Sequence, residues 1–363
     1  MTMIRSAKYT LKFATNKKKN YLNQLFDIYV KYLQKTIDLM WNKQIPIKKK
    51  LSSKKITWMD DLGGQYKNLI YQHASRIVRS CRFKKGKKPV IKNPTITFDA
   101  RMVNIEKSHN TFDKWIRLKL PFIKDGYKNR RIEILIPLKE HRHSLKFKDW
   151  ELVKSVRINR DFVTLIFKKE TPKPKENGKI IGIDIGYKYL IATSEGELIG
   201  SEMERIYEKI ARKRQGSKAF KRALIERDNK INEIINKNLD LSNVKILKVE
   251  DLKNVKKNSH GRIRRKFNNK LQRWSYPKVI DKLKRACEEE AVQFLRVRPA
   301  YSSITCPRCQ FRHKSNRIGE KFKCRNCGYV NHADIVGAIN VANWEPIVPN
   351  APKTSVQEQI SIN

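Results

Sequence analysis

The first third of the chain changes its hydrophobic periodicity twice. Residues Ala7–Phe13 alternate apolar and polar positions, which predicts a β-strand. From Tyr21 to Trp41 the apolar residues recur at helical spacing and can share one broad face. A lysine-rich break follows, and a second helical pattern covers roughly Trp58 to Cys81. The pattern therefore predicts one strand and two amphipathic helices in this region.

Short alternating runs replace the helical pattern from about Val90 to Glu170. Turn residues such as Asp125-Gly126 separate these runs, and the arrangement is typical of an antiparallel β-domain. We predict a β-barrel whose first strand is the N-terminal one. In this interpretation residues 1–13 and 90–172 form the β-domain, and residues 14–89 form a helical insertion within it.

The clearest domain boundary is the segment Thr171–Gly178, which is rich in proline, glycine and charge. Residues 173–178 are interpreted as a linker. After it, apolar strands alternate with helical patterns, which predicts an α/β domain. The predicted elements are strands at Lys179–Ile185, Leu190–Thr193, Glu197–Ile199, Val244–Val249 and Gln293–Val297, and helices at Glu202–Asn236, with a break at Gly216, Ser275–Val292 and Ile335–Ala342. Residues 344–363 contain three prolines and no periodicity, and we expect a disordered tail there.

The strong positive charge of the chain indicates a polyanionic partner. Its 363 residues contain 81 Lys and Arg against 35 Asp and Glu, a formal net charge of +46. Each basic group that neutralises a phosphate releases condensed counterions, so affinity for a nucleic acid accumulates contact by contact. A generally basic solvated surface and an anionic membrane are the alternatives. Basic residues occur along the whole chain rather than on one amphipathic segment, which disfavours the membrane.

The sequence carries no pattern typical of export or membrane insertion. No apolar segment approaches the roughly 20 residues that span a bilayer, and Met1–Asn20 lacks the apolar core of a secretory signal. Four of the six cysteines are clustered, whereas Cys81 and Cys287 stand alone. That distribution is not a disulfide framework and fits a reducing cytosol. We expect a cytoplasmic protein with no membrane partner.

Two C-x2-C knuckles form the most specific motif that spacing alone establishes. Fourteen residues separate Cys309 from Cys324, close to the usual spacing of a four-cysteine zinc site. Four thiolates from two tight turns give the tetrahedral sulfur cage that zinc prefers, and they leave no open position for catalysis. We predict one structural Zn²⁺ bound by Cys306, Cys309, Cys324 and Cys327. His313, between the knuckles, is interpreted as a surface residue.

Three acidic residues stand at the ends of predicted elements. Asp184 ends an apolar strand between two glycines, Glu250 ends a second strand, and Asp334 opens the last helix. Carboxylates placed in this way can converge on paired divalent metals that activate a water and stabilise the leaving oxygen of a phosphodiester. Mg²⁺ suits such a site because it accepts carboxylates while retaining water and substrate oxygens. On residue chemistry alone, other acidic residues could be proposed equally well: Asp251, Glu195 and Asp281.

Several segments of the second half resemble the TnpB (OrfB) family of transposon-encoded nucleases, which are related to the type V CRISPR effectors. The segments similar to the three RuvC motifs of that family are Gly182–Gly186 with Leu190–Ser194, Val249–Leu252, and His332–Asn340. The segments Tyr301–Cys309 and Phe322–Gly328 resemble its zinc ribbon. Order and approximate spacing also match, and the resemblance covers residues 179–343, about half of the chain.

The resemblance implies a ribonuclease-H-like (RuvC) nuclease domain of residues 179–300 and 331–343, with a zinc ribbon of residues 301–330 embedded in it. It selects Asp184, Glu250 and Asp334 as catalytic ligands of two Mg²⁺ ions. It also implies a wedge-like β-domain with a helical recognition insertion. The implied partners are a guide RNA and a double-stranded target DNA unwound to an R-loop, so that base pairing chooses the cut site beside a short adjacent motif.

Two positions depart from the family pattern. Gln310 stands where the family usually has glycine after the first knuckle, and Ala333 stands where many members carry arginine before the final aspartate. Neither change removes a ligand. The N-terminal half matches only in its layout, so no residue there is assigned to reading the adjacent motif. The basic helix Glu202–Asn236 would contact the heteroduplex or gate the site; the alternative is an ordinary solvated helix.

Three other functions fit parts of the sequence. A compact type V CRISPR effector would differ from a transposon nuclease in its neighbouring DNA rather than in its protein sequence. An RNA-guided repressor that binds without cutting would be expected to lose catalytic carboxylates, and all three candidates are retained here. A zinc-ribbon RNA-binding protein explains the charge and the cysteines but leaves the carboxylates unexplained. We therefore predict a metal-dependent, RNA-guided endodeoxyribonuclease.

Overall fold

The chain divides into two compact units, Met1–Glu170 and Thr171–Asn363. The structure, a computed structural model, describes residues 2–59, 61–108, 111–123, 131–252, 273–297 and 301–344. Two expectations lie outside the described residues: the turn at Asp125-Gly126 and the disordered tail beyond residue 344. None of the described helices is both long and apolar enough to cross a membrane.

The N-terminal unit is built on antiparallel strands. They are β1 (Thr2–Thr10), β2 (Ile96–Phe98), β3 (Val103–Lys107), β4 (Lys114–Ile123), β5 (Arg131–Leu138), β6 (Glu151–Ile158) and β7 (Phe162–Glu170). The N-terminal strand pairs with the last strand of the unit, β7, and so belongs to the β-structure, as expected. It starts earlier than expected and ends at Thr10, because the Thr10 side chain caps a 3-10 turn at Leu11–Phe13.

The described strands of this unit pair into two open sheets rather than one closed barrel. One sheet has the order β1-β7-β6-β2 and the other the order β3-β4-β5. Their register shifts fall between Leu152 and Val156 in β6 and between Lys119 and Ile123 in β4. Such irregularities bend and end strand pairing locally. The antiparallel β-structure is confirmed, and the predicted barrel is not formed by these ladders.

Two long helices are inserted between β1 and β2. Helix α1 (Asn16–Trp41) begins where the Thr15 hydroxyl accepts from the Lys18 backbone N–H, and α2 (Gly64–Phe83) packs along it. The second helix starts later than predicted, because Thr57–Met59 forms a separate 3-10 turn and the Trp58 indole donates to Thr36 Oγ1 at 3.0 Å. A short helix, α3 (Arg142–Leu145), precedes β6. Helices and sheets bury one shared apolar core.

The C-terminal unit is a mixed α/β structure, as expected. Its strands are β8 (Lys179–Asp184), β9 (Ile191–Thr193), β10 (Leu198–Ile199), β11 (Val244–Glu250) and β12 (Gln293–Val297), and its helices are α4 (Met203–Ala211), α5 (Lys218–Asn238), α6 (Tyr276–Glu289) and α7 (Ala333–Asn343). The sheet order is β10-β9-β8-β11-β12. The strands β8, β11 and β12 run parallel to one another, whereas β9 pairs in the antiparallel direction with both β8 and β10.

The predicted helix Glu202–Asn236 is two helices. Gly216 adopts a left-handed φ of +81°, and the Ser217 side chain caps α5 by accepting from the Phe220 backbone N–H. Together α4, α5 and α6 bury one face of the sheet. The break at Gly216 that the sequence suggested is therefore confirmed.

The opposite face of the sheet carries α7, which lies unusually close to β8. A Cβ atom at Gly182 would stand 2.1 Å from the Ala338 carbonyl oxygen and 2.4 Å from the Ala342 nitrogen. Only glycine allows the helix backbone to approach this near. The chain reaches α7 from a small sheet of β13 (Arg317–Ile318), β14 (Lys321–Lys323) and β15 (Val330–His332), so this sheet stands directly before the helix in the chain.

Candidate functional site

Asp184 and Glu250 lie side by side at the carboxyl ends of two parallel strands. The register pairs Ile183 of β8 with Val249 of β11, so the next residue on each strand is the acidic one. Side chains alternate along a strand, and these two carboxylates therefore share the face of Gly182. That face is the one covered by α7.

The start of α7 brings Asp334 to the same place. His332 caps the helix, and its Nδ1 accepts from the Asp334 backbone N–H at 3.2 Å. One turn further, Gly337 lies against Asp184: a Cβ at Gly337 would be 3.1 Å from Asp184 Oδ2. The three acidic residues chosen by the motif resemblance thus meet at one edge of the sheet.

Two carboxylates of this cluster, those of Asp184 and Glu250, resist ionisation. Desolvation raises the pKa of Asp184 to about 8, and the negative charges of Glu250 and Asp334 add to that shift. Burial also raises the pKa of Glu250, which is only 7% exposed. The Arg317 guanidinium opposes both shifts. A site that crowds three acidic side chains in this way gains from a bound cation, because a cation favours their ionised forms.

Two residues of the cysteine-rich segment contact the cluster, and sequence reasoning did not identify them. Ser302 is buried, and its hydroxyl donates to Glu250 Oε1. Arg317 Nη2 lies 3.0 Å from Asp334 Oδ1. Ser302 lies in Tyr301–Cys309, a segment that resembles the zinc ribbon of the family, but the spacing of the motif does not distinguish Ser302 from Ser303. No local pattern marks Arg317 among so many basic residues.

The four cysteine thiols come together as their spacing predicts. The sulfur atoms of Cys306, Cys309, Cys324 and Cys327 all lie within 4.8 Å of one another, and these residues could hold a metal such as zinc. In the described part of the chain this is the one group of three or more candidate ligands with such spacing, so the carboxylates are more widely spread. The Phe311 backbone N–H lowers the pKa of Cys309 to about 6, whereas burial raises the pKa of Cys306 to about 12.

Both knuckles end on a left-handed residue. Gln310 has a φ of +60° and Gly328, at the matching position of the second knuckle, has a φ of +69°. Left-handed backbone suits glycine and costs other residues energy. This conformation therefore gives a reason for the glycine that the family pattern has at the position of Gln310. Ala333, the other departure, is fully buried beside the thiol cluster.

The competing acidic residues have other partners. Asp251 stands beside Glu250 but lies 3.6 Å from Arg296, and its backbone N–H donates to Val297. Glu195 pairs with Lys179, and Asp281 pairs with Arg285 one helical turn away. His313 is exposed and caps a 3-10 turn through Ser315, outside the thiol cluster, as interpreted from the sequence.

An open cleft of about 580 Å³ lies in the N-terminal unit, between α2 and the strand ends of the sheet. It is lined by Arg76, Arg157 and His73, together with threonine hydroxyls. His73 accepts or donates a 2.9 Å hydrogen bond with Tyr29, and burial lowers the pKa of His73 to about 4. The imidazole is therefore neutral near pH 7, and the two arginines supply the positive charge of the cleft.

Comparison with known proteins gives matches to one group of nucleases. A family model described as the Cas12f1-like TNB domain matches residues 276–341. The CRISPR-associated endodeoxyribonuclease Cas12f1 of Sulfoacidibacillus thermotolerans is 34% identical over 108 residues, which are 30% of this chain. The matched segment spans only 22% of the length of that curated relative.

Two solved structures share the fold of the chain. The Cas12f1 protein of a complex with sgRNA and target DNA has a TM-score of 0.54 at 15% identity, covering 92% of this chain and 83% of that one. CasPhi-2 (Cas12j) bound to crRNA has a TM-score of 0.50 at 10% identity, covering 94% and 98%. At these identities the likeness concerns the fold alone.

The chain is therefore a mixed α/β protein whose fold resembles that of Cas12 effector structures. It has a cluster of four thiols in the segment that also contacts the carboxylate cluster. Within that class the chain is a relative of the TnpB-like type V effectors. The resemblance stated from its motifs is thereby confirmed.

Proposed function

We propose that this chain is an RNA-guided DNA endonuclease. Its RuvC-like site would hydrolyse phosphodiester bonds in DNA that a guide RNA selects next to a short adjacent motif. The observation that carries the proposal is the meeting of Asp184, Glu250 and Asp334 at one sheet edge, where desolvation and mutual repulsion raise the pKa of Asp184 to about 8. Structural acidic residues are seldom crowded in this way without a functional reason.

The three carboxylates fit a pair of Mg²⁺ ions in charge and in ligand type. When bound, paired Mg²⁺ ions supply an activated water and stabilise the leaving oxygen of a phosphodiester. The residues of the chain position these ligands: β8 and β11 hold two carboxylates side by side, and α7 presents the third. Ser302 orients Glu250, and Arg317 offers a guanidinium suited to a phosphate oxygen once Asp334 has a metal partner.

We assign the cysteine cluster to a closed structural Zn²⁺ site, because four sulfur ligands leave no position for substrate. Residues 301–330 would then be a zinc ribbon embedded in a ribonuclease-H-like nuclease domain of residues 179–300 and 331–343. Residues 1–13 and 90–172 would be the wedge-like domain, with residues 14–89 as the recognition insertion. The strand order β10-β9-β8-β11-β12 supports the ribonuclease-H-like assignment.

The proposed partners are a guide RNA and double-stranded target DNA opened to an R-loop. The net charge of +46 supports a long phosphate interface. The related proteins whose structures share this fold are described with an sgRNA and target DNA in one case and a crRNA in the other. The arginine-lined cleft around Arg76 and Arg157 is a candidate for phosphate contacts in the N-terminal unit. A transposon-encoded nuclease and a compact CRISPR effector fit these properties equally.

The test is to purify the protein with its bound RNA, sequence that RNA, and supply a matching DNA library with Mg²⁺. Asp184→Asn and Glu250→Gln should each lower the cleavage rate by a factor on the order of 10³ or more, since each removes a catalytic group. Asp184→Asn should not reduce stability, because it replaces a carboxyl group whose charged form desolvation disfavours by a neutral side chain of similar size. Bound RNA should be unchanged in both variants.

Asp251→Asn is the matched control, because it changes the acidic neighbour of Glu250 that faces Arg296. Its cleavage rate should stay within about threefold of the wild-type rate, a difference of less than 1 kcal/mol. Guided DNA binding by the wild type without any cleavage would overturn the nuclease and favour a repressor. Loss of cleavage in Asp251→Asn with retention in Glu250→Gln would show that the second ligand is misassigned.

A further inference from the structure

A buried lysine holds the far end of the helix that carries Asp334. Lys248 is 8% exposed and lies within β11, a strand flanked by β8 and β12. Its ammonium donates to the Ala342 carbonyl oxygen at 2.7 Å and to the Trp344 carbonyl oxygen at 2.9 Å. Burying an ammonium is costly unless it is hydrogen-bonded, so the strand and the helix end are firmly connected at this point.

The register explains why a lysine at this position reaches α7. Lys248 pairs with Gly182 of β8, the residue over which α7 makes its closest approach. Lys248 also precedes Glu250 by two residues, so the two side chains share one face of β11. Along that face the lysine therefore stands about 7 Å before the carboxylate.

The helix runs against the direction of the strands. Gly337, the fifth residue of α7, faces Asp184, whereas Ala342, close to the end of the helix, lies over Gly182. From Asp334 to Ala342 the helix rises about 12 Å. Lys248 therefore fixes the end of α7 that lies opposite the metal-facing end, and an α-helix transmits an axial shift along its length.

The charge of Lys248 also suits this position. The last carbonyl oxygens of a helix have no partner within the helix, and a cation there interacts favourably with the helix dipole. Lys248 satisfies two carbonyl groups near the end of α7. Because β11 also carries Glu250, this strand holds one candidate metal ligand directly and, through Lys248, contacts the helix that carries a second candidate, Asp334.

We propose that Lys248 is a positioning residue that sets the axial position of α7 and, through it, the position of Asp334 in the carboxylate cluster. Its effect on metal binding rests on the proposed function of that cluster. The anchoring of α7 does not, because it follows from the contacts of Lys248 alone. The two parts can therefore be tested separately.

The experiment uses Lys248→Met in the full chain, because methionine keeps the length of the side chain and removes its donors. The matched control is Lys245→Met, a half-exposed lysine on the same strand. Hydrogen exchange of the amides of residues 335–344 should accelerate about tenfold in Lys248→Met, since charge-assisted hydrogen bonds are lost. Exchange in α1 should not change, and Lys245→Met should behave as the wild type.

Calorimetric titration with Mn²⁺ then measures the metal site without requiring cleavage. Lys248→Met should weaken Mn²⁺ binding about tenfold, because a displaced Asp334 is a poorer ligand. A purely structural role would reduce the fraction of protein that binds and leave the affinity unchanged. Faster exchange with unchanged affinity would overturn the positioning role, and wild-type exchange in residues 335–344 would overturn the anchor itself.

If the wild type binds Mn²⁺ but cuts no DNA, the proposed function is refuted. The positioning role of Lys248 is then still decided by comparing the Mn²⁺ affinities of the wild type and Lys248→Met. A wild type that binds no Mn²⁺ would refute the positioning role. If Lys248→Met does not fold, Lys248→Arg replaces it. Wild-type exchange and affinity in that variant would support a charged donor as the requirement, and weaker Mn²⁺ binding with unchanged α7 exchange would refute the inference.

Discussion

The close approach of α7 to β8 makes Gly182→Ala the most informative single change. The added Cβ would stand 2.1 Å from the Ala338 oxygen and 2.4 Å from the Ala342 nitrogen. These are backbone atoms, so no side-chain rotation relieves the clash. To restore an ordinary contact of 3.4 Å the helix must withdraw from the strand by about 1.3 Å.

Two effects of different size should follow from that withdrawal. Overpacking of this kind lowers the free energy of unfolding by about 1–3 kcal/mol. The shift also carries Asp334 away from Asp184 and Glu250, and a misplacement of about 1 Å at a catalytic group can lower the rate by about 100-fold. We therefore expect a protein that still folds but cleaves DNA on the order of 100-fold more slowly.

A companion variant separates the two effects. In Gly337→Ala the three atoms nearest to the new Cβ would all belong to the Asp184 side chain, the closest being Oδ2 at 3.1 Å. Alanine is favoured over glycine in a helix interior by about 1 kcal/mol, so stability should be kept while Asp184 is displaced by a few tenths of an ångström. Cleavage should fall in Gly337→Ala with little change in urea-induced unfolding.

The assays are single-turnover cleavage of a guide-matched duplex and urea denaturation followed by fluorescence. Gly86→Ala is the control, since its Cβ would meet only the Cys81 oxygen at an ordinary 3.4 Å, in the N-terminal unit. Wild-type stability and cleavage in Gly182→Ala would refute the reasoning, because they would mean that α7 does not rest on β8 at this glycine.

Three further outcomes are expected. The folded-state pKa of Asp184, about 8, lies above its ordinary 3.8, so the metal-free protein should lose stability as pH rises from about 4 to 8. For the same reason the affinity for Mn²⁺ should rise up to about tenfold per pH unit until about pH 8, when no proton remains to be displaced. Calorimetric titration with Mn²⁺ from pH 6 to 9 checks the affinity, and an affinity that does not change with pH would contradict the prediction. Cys306→Ala should release zinc, lower the melting temperature and abolish cleavage, since Ser302 and Arg317 reach the carboxylates from the same segment, whereas Cys81→Ala should do none of these. Gln310→Gly should stabilise the protein by up to about 1 kcal/mol and Gly328→Ala should destabilise it by a similar amount, because both positions are left-handed; equal resistance of both variants to a zinc chelator would count against this.

The sequence predicts those features that depend on neighbouring residues. Cys306 and Cys309 lie together because only two residues separate them in the chain, and the break before α5 follows from Gly216 itself. The described strands do not close the predicted barrel, and sequence could not foresee this because sheet closure depends on pairing between strands distant in the chain. Likewise Ser302 and Arg317 act on residues 52 and 17 positions away, and no local pattern encodes such contacts. The choice of Asp184 over Glu195 needed motif resemblance for the same reason.

The chain leaves the five-stranded sheet at Val297 and packs against that sheet again through α7, whose second residue is Asp334. The cysteine-rich segment, residues 301–330, therefore lies in the chain between the last strand of this sheet and the helix that places Asp334 at the carboxylate cluster. It cannot be exchanged as a free module: a transplanted segment would have to match the distance between its two ends and also supply a hydroxyl and a guanidinium of its own. Engineering of chimaeras should accordingly cut outside residues 297–343 and carry the whole stretch as one piece.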